Sequence, residues 1–257
     1  MPLSLEQHNI KILENRESWA KKPLLRKVYS QFYREIGRLM NPHLPGLVVE
    51  LGSGIGSIKE HIPQCITTDI FPNPWLDRVE NAYHLSFDQG AVGHLILFDV
   101  FHHLRYPGTA LQEFSRVLAP GGRIIVFEPA MGLIGRIVFG NFHHEPLGLE
   151  EEIAWVAPGG FSGREPAYYA AQGNASRVFG TSAFCEQLGK WRIAEISYFS
   201  GLAYVASGGF RGPQLYPESL LPFLNWIDSV LSRSPRLASR MLVLLERKDP
   251  GDQDTRV

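Results

Sequence analysis

The chain has 257 residues, 44% hydrophobic and 20% charged, with a net charge of −1, which suits one large domain, with or without a cap, and excludes binding nucleic acid through overall charge. Its two cysteines, Cys65 and Cys185, make no disulfide framework and lack metal-ligand spacing, so no metal centre is expected. No apolar run approaches the roughly 20 residues that span a bilayer, and Met1-Pro-Leu-Ser-Leu-Glu6 has no basic segment ahead of an apolar core, so a cytoplasmic protein without a secretory signal is expected.

Glu14 to Met40 is expected to form one or two helices broken near Pro23, because Leu25, Val28, Tyr29, Phe32, Ile36 and Leu39 recur at helical spacing. Lys21, Lys22, Arg26, Lys27, Arg34 and Arg38 make the remainder basic. Such a helix fits across a sheet edge with its basic side in solvent, or against an acidic partner or membrane surface. Asn41-Pro-His-Leu-Pro-Gly46 is turn chemistry, dividing a helical extension (1–45) from a core over 46–257.

Leu47-Val-Val-Glu-Leu51 is a short apolar run with one acid, the pattern of a buried parallel strand. Gly52, Gly54 and Gly56 alternate after it, leaving a loop without Cβ atoms where a ligand can approach the backbone. Ser57 to Ile62 is expected to be a short helix stopped by Pro63, and Cys65 to Thr68 a second strand delivering Asp69. An acid roughly 20 residues beyond such glycines is placed to reach a ribose hydroxyl in doubly wound nucleotide folds. The G-x-G-x-G spacing differs from the dinucleotide G-x-G-x-x-G and favours a nucleoside without a pyrophosphate.

Phe71-Pro-Asn-Pro-Trp75 is a stiff loop whose tryptophan either covers the ligand's base or plugs the loop. Val79 to Tyr83 is expected as a weak third strand, Gly93 to Asp99 as a fourth, Tyr106 to Leu118 as an amphipathic helix, and Arg123 to Phe127, after Pro120-Gly-Gly122, as a fifth strand. This alternation predicts a parallel sheet with helices on both faces. Ligands of such sheets bind at the carboxyl ends of the strands. Glu50 with its glycines, Asp69, Asn81, the Asp99-Val-Phe-His-His103 segment and Glu128 all fall on that rim.

Val-Val-Glu-Leu-Gly-Ser-Gly-Ile-Gly56 and Thr-Thr-Asp69 resemble the first two motifs of class I S-adenosylmethionine-dependent methyltransferases. Asp99-Val-Phe-His-His-Leu104 and the run Leu111-Gln-Glu-Phe-Ser-Arg-Val-Leu-Ala-Pro-Gly-Gly-Arg123 resemble the later motifs of the small-molecule branch. The resemblance covers residues 45 to 130. It implies a doubly wound, Rossmann-like α/β fold with a seven-stranded sheet whose last strand is antiparallel, supplied by Trp191 to Tyr198 as the sixth strand and Ser239 to Arg247 as the last. It further implies S-adenosylmethionine as cofactor and S-adenosylhomocysteine as product. By this resemblance Glu50 meets the methionine amino group, Gly52, Ser53, Gly54 and Gly56 pack on the methionine and ribose, Asp69 holds the ribose hydroxyls, and Asn81 with Ala82 reaches the adenine. Ile70 and Asp99 complete the expected cofactor set. The family often carries an acid near Asn81, and Ala91-Val-Gly-His94 departs from its usual opening of the fourth strand.

Methyl transfer to a hydroxyl is helped by a general base, and His102, His103 and His143 are the candidates. In Phe142-His-His-Glu145 a metal site is disfavoured, since neighbours along a strand point to opposite faces and no third ligand is obvious; a base, a substrate contact or a solvated loop are the readings left. The connections 130–180 and 200–235 exceed ordinary loops and are expected to form a substrate cap. Trp155, Arg164, Tyr168, Tyr169, Tyr204, Phe210, Arg211, Tyr216 and Trp226 suit a planar, sugar or anionic acceptor. The expectation is therefore a methyltransferase for a small-molecule or saccharide-type acceptor, with no nucleic-acid partner and no membrane span, and with self-association left open. Its rivals are a catalytically silent cofactor-binding module and an NAD(P)-dependent oxidoreductase.

Overall fold

The computed structural model of the chain describes residues 5–163 and 168–247. Arg164 and the opening residues Met1 to Ser4 lie outside them. The chain begins with helices α1 (Leu5–Lys21) and α2 (Pro23–Arg38). Pro23 sits in the first turn of α2, where its missing N–H costs nothing and its φ is already helical. Strands β1 (Leu47–Leu51), β2 (Ile66–Asp69), β3 (Arg78–Val79) and β4 (Val92–Phe98) follow, then helix α3 (Pro107–Val117) and strand β5 (Leu118–Pro129). The first long connection carries α4 (Leu133–Asn141) and α5 (Asn174–Phe179), and a short α6 (Cys185–Leu188) leads to β6 (Trp191–Phe199). The second carries α7 (Leu202–Ala206) and α8 (Leu221–Leu231) before β7 (Arg240–Arg247).

The seven strands form one sheet in the order β3-β2-β1-β4-β5-β7-β6, with β7 antiparallel to both neighbours. This is the doubly wound sheet that the motifs implied. Successive residues of a strand face opposite sides, and the core divides accordingly. Leu95 and Leu97 of β4, Ile124 and Val126 of β5, and Val243 and Leu245 of β7 pack with α3. Ile96 and Phe98, Ile125 and Phe127, and Leu242 and Leu244 pack with α2. Strands buried on both faces read as continuous apolar runs for this reason.

Several expectations are corrected. Helix α2 does not lie at the sheet edge. Leu25, Val28, Phe32 and Ile36 of α2 are buried over the middle of the sheet, the Phe32 ring lying 4.8 Å from Phe127. The basic side of α2 is partly paired, Arg38 meeting Glu195 of β6 at 2.5 Å. The third strand is only Arg78–Val79, because Asn81 Oδ1 accepts the Tyr83 N–H at 3.0 Å and turns the chain. Ser57 to Ile62 forms a single 3₁₀ turn over Ser57–Glu60, entered from Gly56 at φ 73° and closed by Pro63. The Pro120-Gly122 turn is absorbed into β5, where pairing with β4 jumps from Leu118 to Arg123.

If α2 is part of the core, Phe32→Ala should cost about 3 kcal/mol of stability, the usual range for a buried phenylalanine. Equilibrium urea unfolding measures this; a loss of only a few tenths of a kcal/mol would return α2 to the status of an appendage.

Candidate active site

The glycine loop is built by β1, β2 and the turn after β4. Gly52 (φ 62°) lies against Val100, whose Cγ2 would be 2.4 Å from any added Cβ, so only glycine lets the two loops touch. Gly54 (φ 50°) has nothing within 4 Å of its Cβ position, and its face is open for a ligand. The loop is clamped to β2: Asp69 Oδ2 accepts the Gly54 N–H at 3.1 Å, and Ser53 Oγ accepts the Thr68 N–H at 3.1 Å. Trp75 Nε1 donates to the Gly54 carbonyl at 2.9 Å, so this tryptophan pins the loop.

These groups line a cavity of about 430 Å³ that also receives Ile70, Asn81, Ala82 and Asp99. Every expected cofactor residue except Gly56 reaches it; Gly56 sits behind the loop against Trp75 and Leu76. Glu50 is 2% exposed, and its Oε2 has no hydrogen-bond partner among the described residues. Burial pushes this carboxyl up to about 8, with the Asp69 charge adding to the shift. Asn81 Oδ1 already accepts a backbone N–H, as described above. The neighbouring acid Glu80 is buried and spent on the amide and hydroxyl of Ser86.

The turn after β4 is fixed by Glu128, at the end of β5 and fully buried. Its Oε1 accepts the N–H groups of Val100 (2.7 Å) and Phe101 (2.6 Å), and its Oε2 meets His102 Nδ1 at 2.6 Å. His102 is 2% exposed, and its Nε2 lies 3.5 Å from Glu145 Oε2. Burial alone would lower the imidazole pKa, but the two carboxylates overturn this and raise it to about 10. Gln172 and Tyr168 both donate to the Glu145 carboxylate. His103 Nδ1 lies 2.7 Å from the Tyr169 carbonyl. Within Phe142–Glu145 only Glu145 turns inward, at 7% exposed; Phe142 is 82% exposed, and the partly exposed His143 and His144 approach the carboxylate at 3.7 and 3.6 Å. Burial lowers His143 to about 4.

A second cavity, of about 610 Å³, lies beside the first and shares Ile12, Asn15, Tyr29, Asp99, His103 and Phe210 with it. His102, His143, Glu145 and Gln172 face only this second cavity, whereas His103 faces both.

Residues 49–126 match the model of a methyltransferase domain family. Over that stretch the chain is similar to this methyltransferase domain family. Similar folds occur in an S-adenosylmethionine-dependent methyltransferase from Thermotoga maritima (13% identity, 93% of this chain and 99% of that one, TM-score 0.51) and in one from Archaeoglobus fulgidus (14%, 86% and 94%, 0.51). At such identities the likeness concerns the fold alone. No curated protein matches the sequence significantly.

Several groups of this candidate site lie outside every sequence motif. Ile12 and Asn15 come from α1, and Tyr29 and Tyr33 from α2. Arg240 opens β7 and is 1% exposed, forming a two-pronged pair with Asp99 at 2.5 and 2.8 Å. Its guanidinium lies 5.3 to 5.9 Å from the ring centroids of Phe32, Phe98, Phe127 and Tyr204. An arginine at the head of an otherwise apolar strand is the signal that could have found it. Asp99 is itself held at φ 55°, a conformation unusual without glycine. Asp99→Ala would strand a buried cation. The expected loss is about 2–3 kcal/mol, below the full cost of breaking a buried pair because Asp99 is partly exposed. Thermal and urea unfolding of the variant check this, and an unchanged midpoint would contradict it.

Proposed function

We propose that the chain is an S-adenosylmethionine-dependent methyltransferase whose cofactor occupies the glycine-lined cavity and whose small-molecule or saccharide-type acceptor occupies the adjoining one. The observation that carries this reading is the meeting of the two cavities at Asp99 and His103, beside a buried Glu50 oxygen with no partner among the described residues. The Glu50 oxygen and the open face of Gly54 fit a ligand with a cationic amino end. The bound cofactor supplies an activated sulfonium methyl group, so the protein's work is positioning and exclusion of water. In this reading Glu50 receives the amino group and Asp69 the ribose hydroxyls. Asn81 and Ala82 border the base, and His103 contacts the reacting end of the acceptor. His102 is held between two carboxylates, and His143 stands farther along the acceptor cavity. The shared wall speaks against a silent module, because an acceptor in one cavity touches the contents of the other.

Calorimetric titration with S-adenosylhomocysteine tests the reading, with NADH as the parallel ligand. Micromolar binding of the former alone is expected, weakened about tenfold or more by Asp69→Ala through loss of a charge-assisted hydrogen bond. Binding of NADH alone, or of neither ligand, would overturn it.

A linked proton gives a second test. The raised Glu50 pKa means the free protein holds this proton at pH 7, and that its stability declines as pH rises from about 4.5 to 8. A cationic amino group favours the ionised carboxylate, so ligand binding at pH 7 should release a proton. Titration in buffers of different ionisation enthalpy should reveal this release, which should fade well above pH 8 and vanish in Glu50→Gln. A release that persists in that variant would place the proton elsewhere.

A further inference from the structure

We infer that His102, His103 and Glu145 form a site for one divalent transition-metal ion of the zinc class, at the floor of the second cavity. There the ion holds an oxygen of the acceptor, a role that rests on the methyltransferase reading above; ion binding itself does not.

One ligand atom from each of the three residues lies within 4.8 Å of the others. Of these atoms, His102 Nε2 and Glu145 Oε2 are 3.5 Å apart. Two donors each about 2.0–2.2 Å from a tetrahedral ion are separated by about 3.3–3.6 Å, so this pair already has the spacing of two ligands on one ion.

Both imidazoles are oriented for ligation. His102 Nδ1 faces Glu128 Oε2 at 2.6 Å and His103 Nδ1 faces the Tyr169 carbonyl at 2.7 Å. Each partner is a hydrogen-bond acceptor, which keeps a proton on Nδ1, so an ion binds at Nε2 and, at His102, displaces the second proton that the two carboxylates hold there. A histidine braced by a carboxylate or carbonyl through one nitrogen and ligating through the other is the usual arrangement at metal centres.

Gln172 supplies a separate sign. It is 2% exposed, and its Oε1 has no partner among the described residues. Its Nε2 instead lies 3.2 Å from His102 Nε2 and donates to Glu145 Oε2, so the amide sits beside the point between these two ligand atoms. Exchanging the two ends of the amide directs Oε1 at that point, giving the ion a fourth donor and the orphaned oxygen a partner. All four side chains open onto the second cavity, which provides the route in. Two imidazoles with carboxylate and amide oxygens suit zinc or cobalt better than magnesium or calcium. The other grouping, Asp99 with His102 and Glu128, is already spent: Asp99 is paired with Arg240, and Glu128 holds two backbone N–H groups and an imidazole. An ion here would take the acceptor oxygen as a fifth donor and make a hydroxyl there more acidic, its proton leaving to water in the cavity, which gives His103 a role through the ion.

The test uses tag-free, full-length protein stripped with a chelator and desalted, then titrated with Zn²⁺ and separately with Co²⁺. The expected result is one equivalent bound at micromolar affinity or tighter, with a visible Co²⁺ absorption band. Glu145→Gln and His103→Ala should each weaken uptake about tenfold or more. A cooperative unfolding transition with an unchanged urea midpoint in each variant reports an intact fold. Failure of stoichiometric uptake, or equal affinity in wild type and both variants, overturns the site. If S-adenosylhomocysteine binds and zinc does not, the metal inference falls and the methyltransferase reading stands. Zinc uptake without S-adenosylhomocysteine binding keeps the metal site and removes the methyltransferase reading.

Discussion

The site depends on the Glu128 carboxylate. It accepts two consecutive backbone N–H groups with one oxygen and the His102 ring with the other, at 2.6 to 2.7 Å, in full burial. The first two bonds set the chain's path immediately after β4. The third sets the plane of an imidazole. Asp99, His102 and His103 therefore take their positions from a side chain on the neighbouring strand. Charge-assisted bonds of this kind are stronger than neutral ones and hold better where water is excluded. Two further carboxylates extend the pattern. Asp69 ties the glycine loop to β2, and Asp99 ties the same rim to β7 through Arg240. The sheet order makes this economical, because β2, β1, β4, β5 and β7 are successive neighbours.

Much of that rim is legible in the amino-acid sequence. The glycine loop with Asp69 is local in the chain, and its residues need no distant contact to be recognised. Strand positions follow from apolar runs, since both faces of the sheet are covered. The helix α2 shows where such reasoning stops. Its periodicity reports a buried face but not what buries it, and the covering of Phe98 and Phe127 is a tertiary fact. Asn81 fails for a different reason: a side chain that bonds its own backbone two residues on ends a strand that propensity alone would continue.

The second cavity is less legible because its groups are scattered. Glu145, Tyr168 and Gln172 lie in one long connection without hydrophobic period, and His102 lies more than 40 residues earlier. Nothing in their spacing predicts that they converge. Alternating faces along Phe142–Glu145 would require a strand, whereas a loop folds both histidines back onto the glutamate that follows them.

The helix α1 joins the two halves of the site. Its only fully buried described side chain is Ile12, which borders both cavities together with Asn15. Its other anchors fall on opposite sides. Arg16 lies 4.2 Å over the Trp75 ring, which pins the glycine loop, and Trp19 stacks on Phe210 at 6.3 Å beside the second cavity. Trp19 also meets Tyr29 edge-on at 5.3 Å, and Tyr29 stacks on Phe98 at 5.4 Å. One element is thus held by the loop that frames the first cavity and by the segment that frames the second. With one buried side chain of its own among the described residues, this helix takes its place from the contacts at its two sides.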